Sequence, residues 1–188
     1  MAKTIGLIVG SLRENSYNRM VARTLSELDA TLAFKWIELK ELPLFNEDLE
    51  VGDGPEAVQV FKAAIQAVDG IIIVTPEYNS GIPGVLKNAI DWASRPSRGS
   101  VLHRKPFGLI GATPGGMGTV HAQLQTRHVL ESVQAQVLPF QKLLISQVHT
   151  KVDTKQQRLT DEKTKEYLQA YLQKFVRWID HVPALDLL

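Results

Sequence analysis

Short apolar runs of strand length alternate along the chain with amphipathic stretches of helix length. The runs predict five strands, at residues 5–9, 33–39, 71–74, 107–112 and 135–138. Every position of the third run is Ile or Val, which is typical of a central strand covered on both faces. Pro139 ends the fifth run, because proline has no N–H to donate to a neighbouring strand.

Between these runs, apolar side chains recur at helical spacing. The predicted helical faces comprise Tyr17, Val21, Thr24, Leu25 and Leu28; Val58, Phe61, Ile65 and Val68; and Leu168, Tyr171, Leu172, Phe175, Val176 and Ile179. Pro55 fits the start of the second helix, and Thr160-Asp161-Glu162 fits a capped start for the last. Because parallel neighbours need a crossover between them, the alternation predicts an α/β fold: a doubly wound parallel sheet with helices on both faces, in three layers. No linker or repeat divides the chain, so we expect a single domain over residues 1–188.

Composition narrows the functional classes. The chain of 188 residues has no cysteine, which excludes disulfides, thiolate metal sites and a cysteine nucleophile. Its 21 basic and 20 acidic residues give a formal net charge of +1, which gives no reason to propose a nucleic-acid partner. The apolar runs are too short to cross a bilayer, and the first residues lack a signal-peptide pattern. We therefore expect a cytoplasmic protein with neither a nucleic-acid nor a membrane partner.

Candidate chemistry lies after the first, third and fourth predicted strands, because ligands of doubly wound sheets bind beyond the carboxyl ends of the strands. The first segment, residues 10–18, offers the hydroxyls of Ser11 and Ser16, the guanidinium of Arg13 and a helix N-terminus, a combination that favours an anion. It lacks the glycine patterns of Walker and dinucleotide loops, so one phosphomonoester fits it better than a pyrophosphate. The alternative is that Ser11, Ser16 or Asn18 only caps the helix.

The second segment, residues 75–84, contains two prolines and two glycines that predict a rigid turn. Such a turn holds backbone N–H groups and the Tyr78 ring where a planar ligand such as a flavin could meet them. The helix that follows is apolar around much of its circumference and includes Trp92. The sequence leaves open whether this helix packs in the core or in a subunit interface.

Two motifs together resemble a known family. Gly-Ser-Leu-Arg-x-x-Ser-x-Asn at residues 10–18, and Thr-Pro-Glu-Tyr-Asn followed by Pro-Gly-x-Leu-Lys-Asn-Ala-Ile-Asp-Trp at residues 75–92, look like those of the NADPH-dependent FMN reductase family of flavodoxin-like proteins. The bacterial quinone, azo-dye and chromate reductases are the most similar members. The resemblance implies a flavodoxin-like sheet of five parallel strands in the order 2-1-3-4-5.

The resemblance also implies the cofactor-binding residues. Those around the FMN phosphate would be Ser11, Arg13, Ser16, Tyr17 and Asn18; those beside the isoalloxazine ring would be Pro76, Glu77, Tyr78, Asn79 and Ser80; and those of a third loop would be Thr113, Pro114 and Gly115. Pro114 stands where the family often has Ser or Thr, so an N–H is missing there and Thr113 or Gly115 would substitute for it. Ser80 stands where many relatives carry an aromatic residue, which would widen the space beside the ring.

By this resemblance the protein is an FMN-dependent NAD(P)H oxidoreductase, with NADPH slightly preferred. NAD(P)H would reduce the flavin and leave, and an acceptor such as a quinone, an azo compound, chromate or free flavin would then take two electrons in a ping-pong cycle. The mechanism requires no catalytic side chain, because hydride moves directly between the rings. The family implies a homodimer or homotetramer with the flavin near the interface. The alternative is a flavodoxin-type electron carrier, which is commonly strongly acidic, unlike this chain.

Other charged residues allow weaker hypotheses. Arg95, Arg98, Arg104 and Lys105 either form a solvated loop or contact the 2′-phosphate of NADPH. The five histidines do not favour a metal site, since His121 and His128 lie two helical turns apart and no H-x-x-x-H pair is present.

Overall fold

A parallel β-sheet forms the centre of the protein. The computed structural model describes residues 2–52, 54–95, 100–139 and 143–182. The sheet strands are β1 (Thr4–Val9), β2 (Ala33–Trp36), β3 (Gly70–Thr75), β4 (Pro106–Ala112), β5 (Gln136–Val137) and β6 (Leu143–Ile145). Their order is β2-β1-β3-β4-β5, β6 also pairs with β4, and each of these pairings is parallel. The predicted doubly wound α/β fold and its strand order are confirmed.

Helices cover both faces of the sheet. They are α1 (Tyr17–Glu27), α2 (Glu56–Gln66), α3 (Gly84–Ala93), α4 (Val120–Ser132) and α5 (Glu162–His181). Successive side chains of β3 point to opposite faces: Ile72 and Val74 pack in the core with α1 and α5, whereas Ile71 and Ile73 pack with α2 and α3. All six β3 residues are buried, as predicted for a central strand. In the part of the chain that the structure describes, no helix is long and apolar enough to cross a membrane.

The fifth position of the sheet holds two short strands in succession. β5 pairs with the first two residues of β4 and β6 with its last three, and among the described residues no strand pairs with the middle of this edge of β4. In the gap, the Leu109 N–H donates to the hydroxyl of Tyr171 on α5, at 2.6 Å. Burial raises the pKa of the Tyr171 hydroxyl, so this hydrogen-bond partner stays protonated. The prediction of one strand over residues 135–138 was therefore incomplete.

Short strands account for the other differences from the prediction. β2 ends before the predicted limit at residue 39. A hairpin of β7 (Val152–Asp153) and β8 (Arg158–Leu159) follows β6 and was not predicted, because strands of two residues carry too little alternation to detect. The Leu159 N–H donates to Thr24 Oγ1 at 2.9 Å and thereby fixes the hairpin against α1.

The apolar circumference of α3 is covered within the protomer. Trp92 is 1% exposed, and its indole N–H donates to the Pro43 carbonyl oxygen at 2.8 Å. The Phe45 ring packs edge-on against Trp92, with 5.0 Å between ring centres. The segment after β2 therefore buries Trp92 in the core, which for this residue favours core packing, one of the two alternatives that the sequence leaves open.

Candidate functional site

Three loops lie together at the carboxyl edge of the sheet: residues 10–16 after β1, 76–83 after β3 and 113–119 after β4. Parallel pairing of β1 with β3, and of β3 with β4, places the three strand ends side by side. The Gly10 N–H donates to the Val74 carbonyl oxygen at 3.0 Å, which holds the start of the first loop against β3. The structure thus brings together the three segments that the sequence singled out.

The first loop leaves the amino end of α1 open. Ser16 is the N-cap residue, but its side chain makes no capping hydrogen bond, so the first-turn N–H donors lack the usual side-chain acceptor. The exposed Arg13 guanidinium donates to the Asn15 carbonyl oxygen at 2.5 and 3.1 Å and lies 5.2 Å from the centre of the Tyr17 ring. Ser11 Oγ accepts from the Arg13 N–H at 3.4 Å. This geometry favours an anion site over simple capping, because Ser16 does not cap.

The buried Asn18 side chain joins α1 to the end of β4. Its Nδ2 donates to the Ala112 carbonyl oxygen and its Oδ1 accepts from the Ala112 N–H, both at 2.9 Å. The amide therefore braces two of the three loops against each other. A contact of Asn18 with a phosphate could use the second proton on Nδ2 or the backbone N–H in the first turn of α1.

Glu77 joins the second loop to α4. Its Oε2 accepts from the N–H groups of His121 and Ala122, at 2.8 and 3.0 Å. The N-cap residue of α4 itself, Thr119, makes no capping hydrogen bond with its side chain. Glu77 thus caps α4 from another loop, and its negative charge suits the positive end of the helix dipole. Because Oε2 is engaged, a contact of Glu77 with a flavin would use Oε1 or its backbone.

Residues 78–81 form a tight hairpin turn beyond the buried Pro76. Tyr78 and Gly81 exchange two backbone hydrogen bonds of 3.3 and 3.0 Å. The central residues, Asn79 and Ser80, both have positive φ, at 50° and 58°, as a type I′ turn requires. The turn exposes Tyr78, Asn79 and Ser80 at the edge of the site.

The third loop is fixed by internal hydrogen bonds. The Thr113 N–H donates to the Ile145 carbonyl oxygen at 3.0 Å, and the Gly115 N–H donates to Thr113 Oγ1 at 3.2 Å. Both N–H groups that could substitute for the missing donor of Pro114 are therefore engaged within the protein. The Thr113 hydroxyl accepts from Gly115 and keeps its own proton for donation.

Each loop also contributes one exposed apolar side chain. Leu12 is 55% exposed, Tyr78 is 54% exposed and Met117 is 65% exposed. A cavity of about 450 Å³ beside the first loop is lined by Ser11 and Arg13, among others. Exposed apolar side chains beside open N–H donors suit a ligand with a flat ring and a negative group.

Sequence reasoning missed the contribution of α4 to this site. Gln125 on α4 accepts from the Ile82 N–H at 3.0 Å and donates to the Ser80 carbonyl oxygen at 3.2 Å. Nothing in the periodicity indicates this role, because the buried face of α4 includes the polar residues Gln123 and Thr126.

Comparison with known proteins identifies the family. The family model described as NADPH-dependent FMN reductase matches residues 4–150. The chain belongs to the NADPH-dependent FMN reductase family. A 2-hydroxy-1,4-benzoquinone reductase from a Burkholderia species is 38% identical over 95% of this chain and 97% of its own length. A quinone reductase of Pseudomonas putida is 38% identical over 94% of both chains. The structure of FerB, an NAD(P)H:(acceptor) oxidoreductase from Paracoccus denitrificans, matches with a TM-score of 0.86, 36% identity and coverage of 95% of this chain and 98% of FerB.

The residues at the carboxyl edge fit FMN, the flavin of this family. The open amino end of α1 and the Arg13 guanidinium suit a phosphate, because both supply donors to an anion. Tyr78 and Met117 present apolar surface from two neighbouring loops, which suits a flat ring between them. The fit is to one phosphate and one ring system, as the sequence predicted.

Arg95 does not present a free guanidinium for the 2′-phosphate of NADPH. It donates to Glu50 Oε2 at 3.1 Å and Glu47 Oε1 at 2.8 Å, and it lies 4.9 Å from the centre of the Phe45 ring. Two carboxylates already balance its charge, so Arg95 instead anchors the segment after β2 to α3. Arg98 lies outside the described residues.

Arg104 and Lys105 lie at the opposite edge of the sheet from the three loops. They immediately precede β4 and therefore enter the sheet at its amino edge. Lys105 Nζ donates to the Val68 carbonyl oxygen at 2.7 Å, and burial lowers its pKa against an opposing effect of Asp69. The hypothesis that these two residues contact NADPH at the flavin site was wrong for this topological reason. Among the described residues, no group of three or more histidine or carboxylate side chains could hold a metal ion.

Proposed function

We propose that this protein is an FMN-dependent NAD(P)H oxidoreductase that transfers two electrons to quinones. The observation that carries the proposal is the open amino end of α1 beside Arg13, at the same sheet edge as the exposed Tyr78 ring. Family membership gives this site its ligand, because members of the family pair FMN with a nicotinamide donor. The balanced reaction converts NAD(P)H, a proton and a quinone to NAD(P)⁺ and a hydroquinone.

The side chains of the site bind FMN and orient it. Ser11, Arg13, Ser16 and Tyr17 hold the phosphate with the first-turn N–H groups of α1, and the backbone of residues 76–80 meets the ring. Thr113 donates from its hydroxyl on the opposite side, with Pro114 and Gly115 beside it. When bound, FMN supplies the hydride chemistry, so no side chain has to act as a nucleophile.

A flavodoxin-type carrier is the disfavoured alternative. Carriers of that type steer protein partners with strong negative charge, whereas this chain has a formal net charge of +1. The two reductases above, which the chain matches along nearly their whole length, have names of enzymes. We therefore favour turnover of small molecules over electron transfer between proteins.

Finer properties follow from the same reasoning. We propose NADPH as the slightly preferred donor, azo compounds, chromate and free flavin as further acceptors, and a homodimer or homotetramer with FMN near the interface. We also propose one domain over residues 1–188 and a cytoplasmic location. The support is the family resemblance and the exposed apolar residues around the site. Light scattering checks the assembly, and a monodisperse monomer would contradict it.

The central test is spectroscopic. The purified protein should be yellow and should release FMN on denaturation. Under anaerobic conditions, NADPH should bleach the bound flavin rapidly, with NADH slightly slower, and a quinone should restore the colour. Slow or absent bleaching by both nucleotides would contradict the enzyme and favour the carrier.

A further inference from the structure

The α4 helix contacts the second loop through two links about one helical turn apart. At the amino end of α4, Glu77 accepts from two first-turn N–H groups. At the far end of the same loop, Gln125 accepts from the Ile82 N–H at 3.0 Å and donates to the Ser80 carbonyl oxygen at 3.2 Å. The first link uses backbone N–H groups at the amino end of α4, and the second uses the side chain of Gln125.

The turn held by Gln125 has an unfavourable backbone. Asn79 and Ser80 are both left-handed, and neither is glycine. A left-handed conformation is costly for a residue with a Cβ, and somewhat less so for Asn. Such conformations persist where surrounding contacts over-determine them. Gln125 supplies two such contacts from outside the turn, one to Ser80 and one to the residue after Gly81.

The same helix also sets the position of the third loop, because α4 follows residues 113–119 directly. We propose that Gln125 is a positioning residue for the flavin site. By latching the 78–81 turn to α4, it fixes the Tyr78 ring relative to the third loop and so sets the width of the ring-binding cleft. This inference rests on the proposed function, since the cleft is defined by FMN.

The test compares Gln125→Met with Gln173→Met, a control that removes another exposed glutamine in the middle of a helix, on α5. Each holoprotein is diluted, and the rise in free-flavin fluorescence gives the FMN dissociation constant. We expect Gln125→Met to raise this constant about 3- to 10-fold through the loss of two hydrogen bonds. The visible circular dichroism of bound FMN should also change. Gln173→Met should leave both unchanged.

A second variant separates positioning from general destabilisation. Ser80→Gly removes the left-handed cost at the turn, so Gln125→Met/Ser80→Gly should recover at least half of the lost FMN affinity and the native circular dichroism. If Gln125→Met has the same FMN dissociation constant as Gln173→Met while the unmodified protein binds FMN, the positioning role of Gln125 is refuted and the proposed function stands. If affinity falls but Ser80→Gly restores none of it, the latch is also overturned. An unmodified protein that binds no FMN overturns both.

Discussion

Two regions of this protein differ in whether a side chain accepts from backbone N–H groups that lack a partner in a helix or strand. In the middle of β4, the Leu109 N–H has no ladder partner among the described residues, and the buried Tyr171 hydroxyl accepts from it. At the amino end of α1, the side chain of Ser16 accepts from no first-turn N–H. A buried N–H without a partner is costly, so the protein itself supplies an acceptor for Leu109, whereas the uncapped first turn of α1 leaves its N–H groups for an acceptor from a ligand. The difference separates a structural hydrogen bond from a binding site.

The largest effect on stability is expected in the middle of β4, where the Tyr171 hydroxyl accepts from the Leu109 N–H. Tyr171→Phe leaves the Leu109 N–H buried without a partner, so the free energy of unfolding should fall by about 1–3 kcal/mol. FMN affinity should not change, because the Tyr171 hydroxyl contacts the middle of β4 and none of the three loops. Urea denaturation and flavin release measure the two quantities. Tyr167→Phe on the exposed face of α5 is the control, and an equal loss there would remove the special role of Tyr171.

At the uncapped amino end of α1, a substitution should change FMN affinity and leave stability unchanged. Arg13→Ala removes a cation from the phosphate site, so the FMN dissociation constant should rise about tenfold while the thermal midpoint of the FMN-free protein stays the same. Arg177→Ala removes an exposed charge from the end of α5 near the opposite sheet edge and serves as the control. Unchanged FMN affinity in folded Arg13→Ala would refute the assignment of Arg13.

Alkaline pH should weaken the contribution of Tyr171 in the middle of β4. The raised pKa of Tyr171 means that the folded state retains a proton which the unfolded state loses near pH 10. The stabilisation is fully present below that pH and falls as pH rises above it, by at most about 1.4 kcal/mol per pH unit. The stability difference between the unmodified protein and Tyr171→Phe should therefore shrink between about pH 10 and 11. A difference that is constant with pH would contradict this.

The smallest effect is expected at the turn of the second loop. Ser80→Gly relieves a left-handed residue, so the free energy of unfolding should rise by about 0.5–1 kcal/mol in urea denaturation. The same substitution at Ser132, in the last turn of α4, should lower it by a similar amount. If both variants are destabilised, the turn is not strained by Ser80.

Much of the fold was predictable because its signals are local. The all-apolar run at 71–74 became the central strand, and Asp161 caps α5 by accepting from the Thr164 N–H at 2.9 Å. The strand order came from the family resemblance, since periodicity does not distinguish which strands are neighbours. The interruption between β5 and β6 was missed, because its compensation by Tyr171 joins residues 62 positions apart.

The candidate site shows the same contrast between local sequence signals and contacts between distant residues. The sequence by itself determined which loops carry the chemistry, because glycines, prolines and hydroxyl residues after apolar runs are local signals. Only the tertiary structure decided how those loops are held: Asn18 engages Ala112, Glu77 caps α4, and Gln125 latches the turn. The tertiary structure also shows that Arg104 and Lys105 lie at the opposite edge of the sheet from the three loops. Hydrogen bonds between distant segments leave no periodic trace, so their partners are fixed only when the sheet brings the strand ends together.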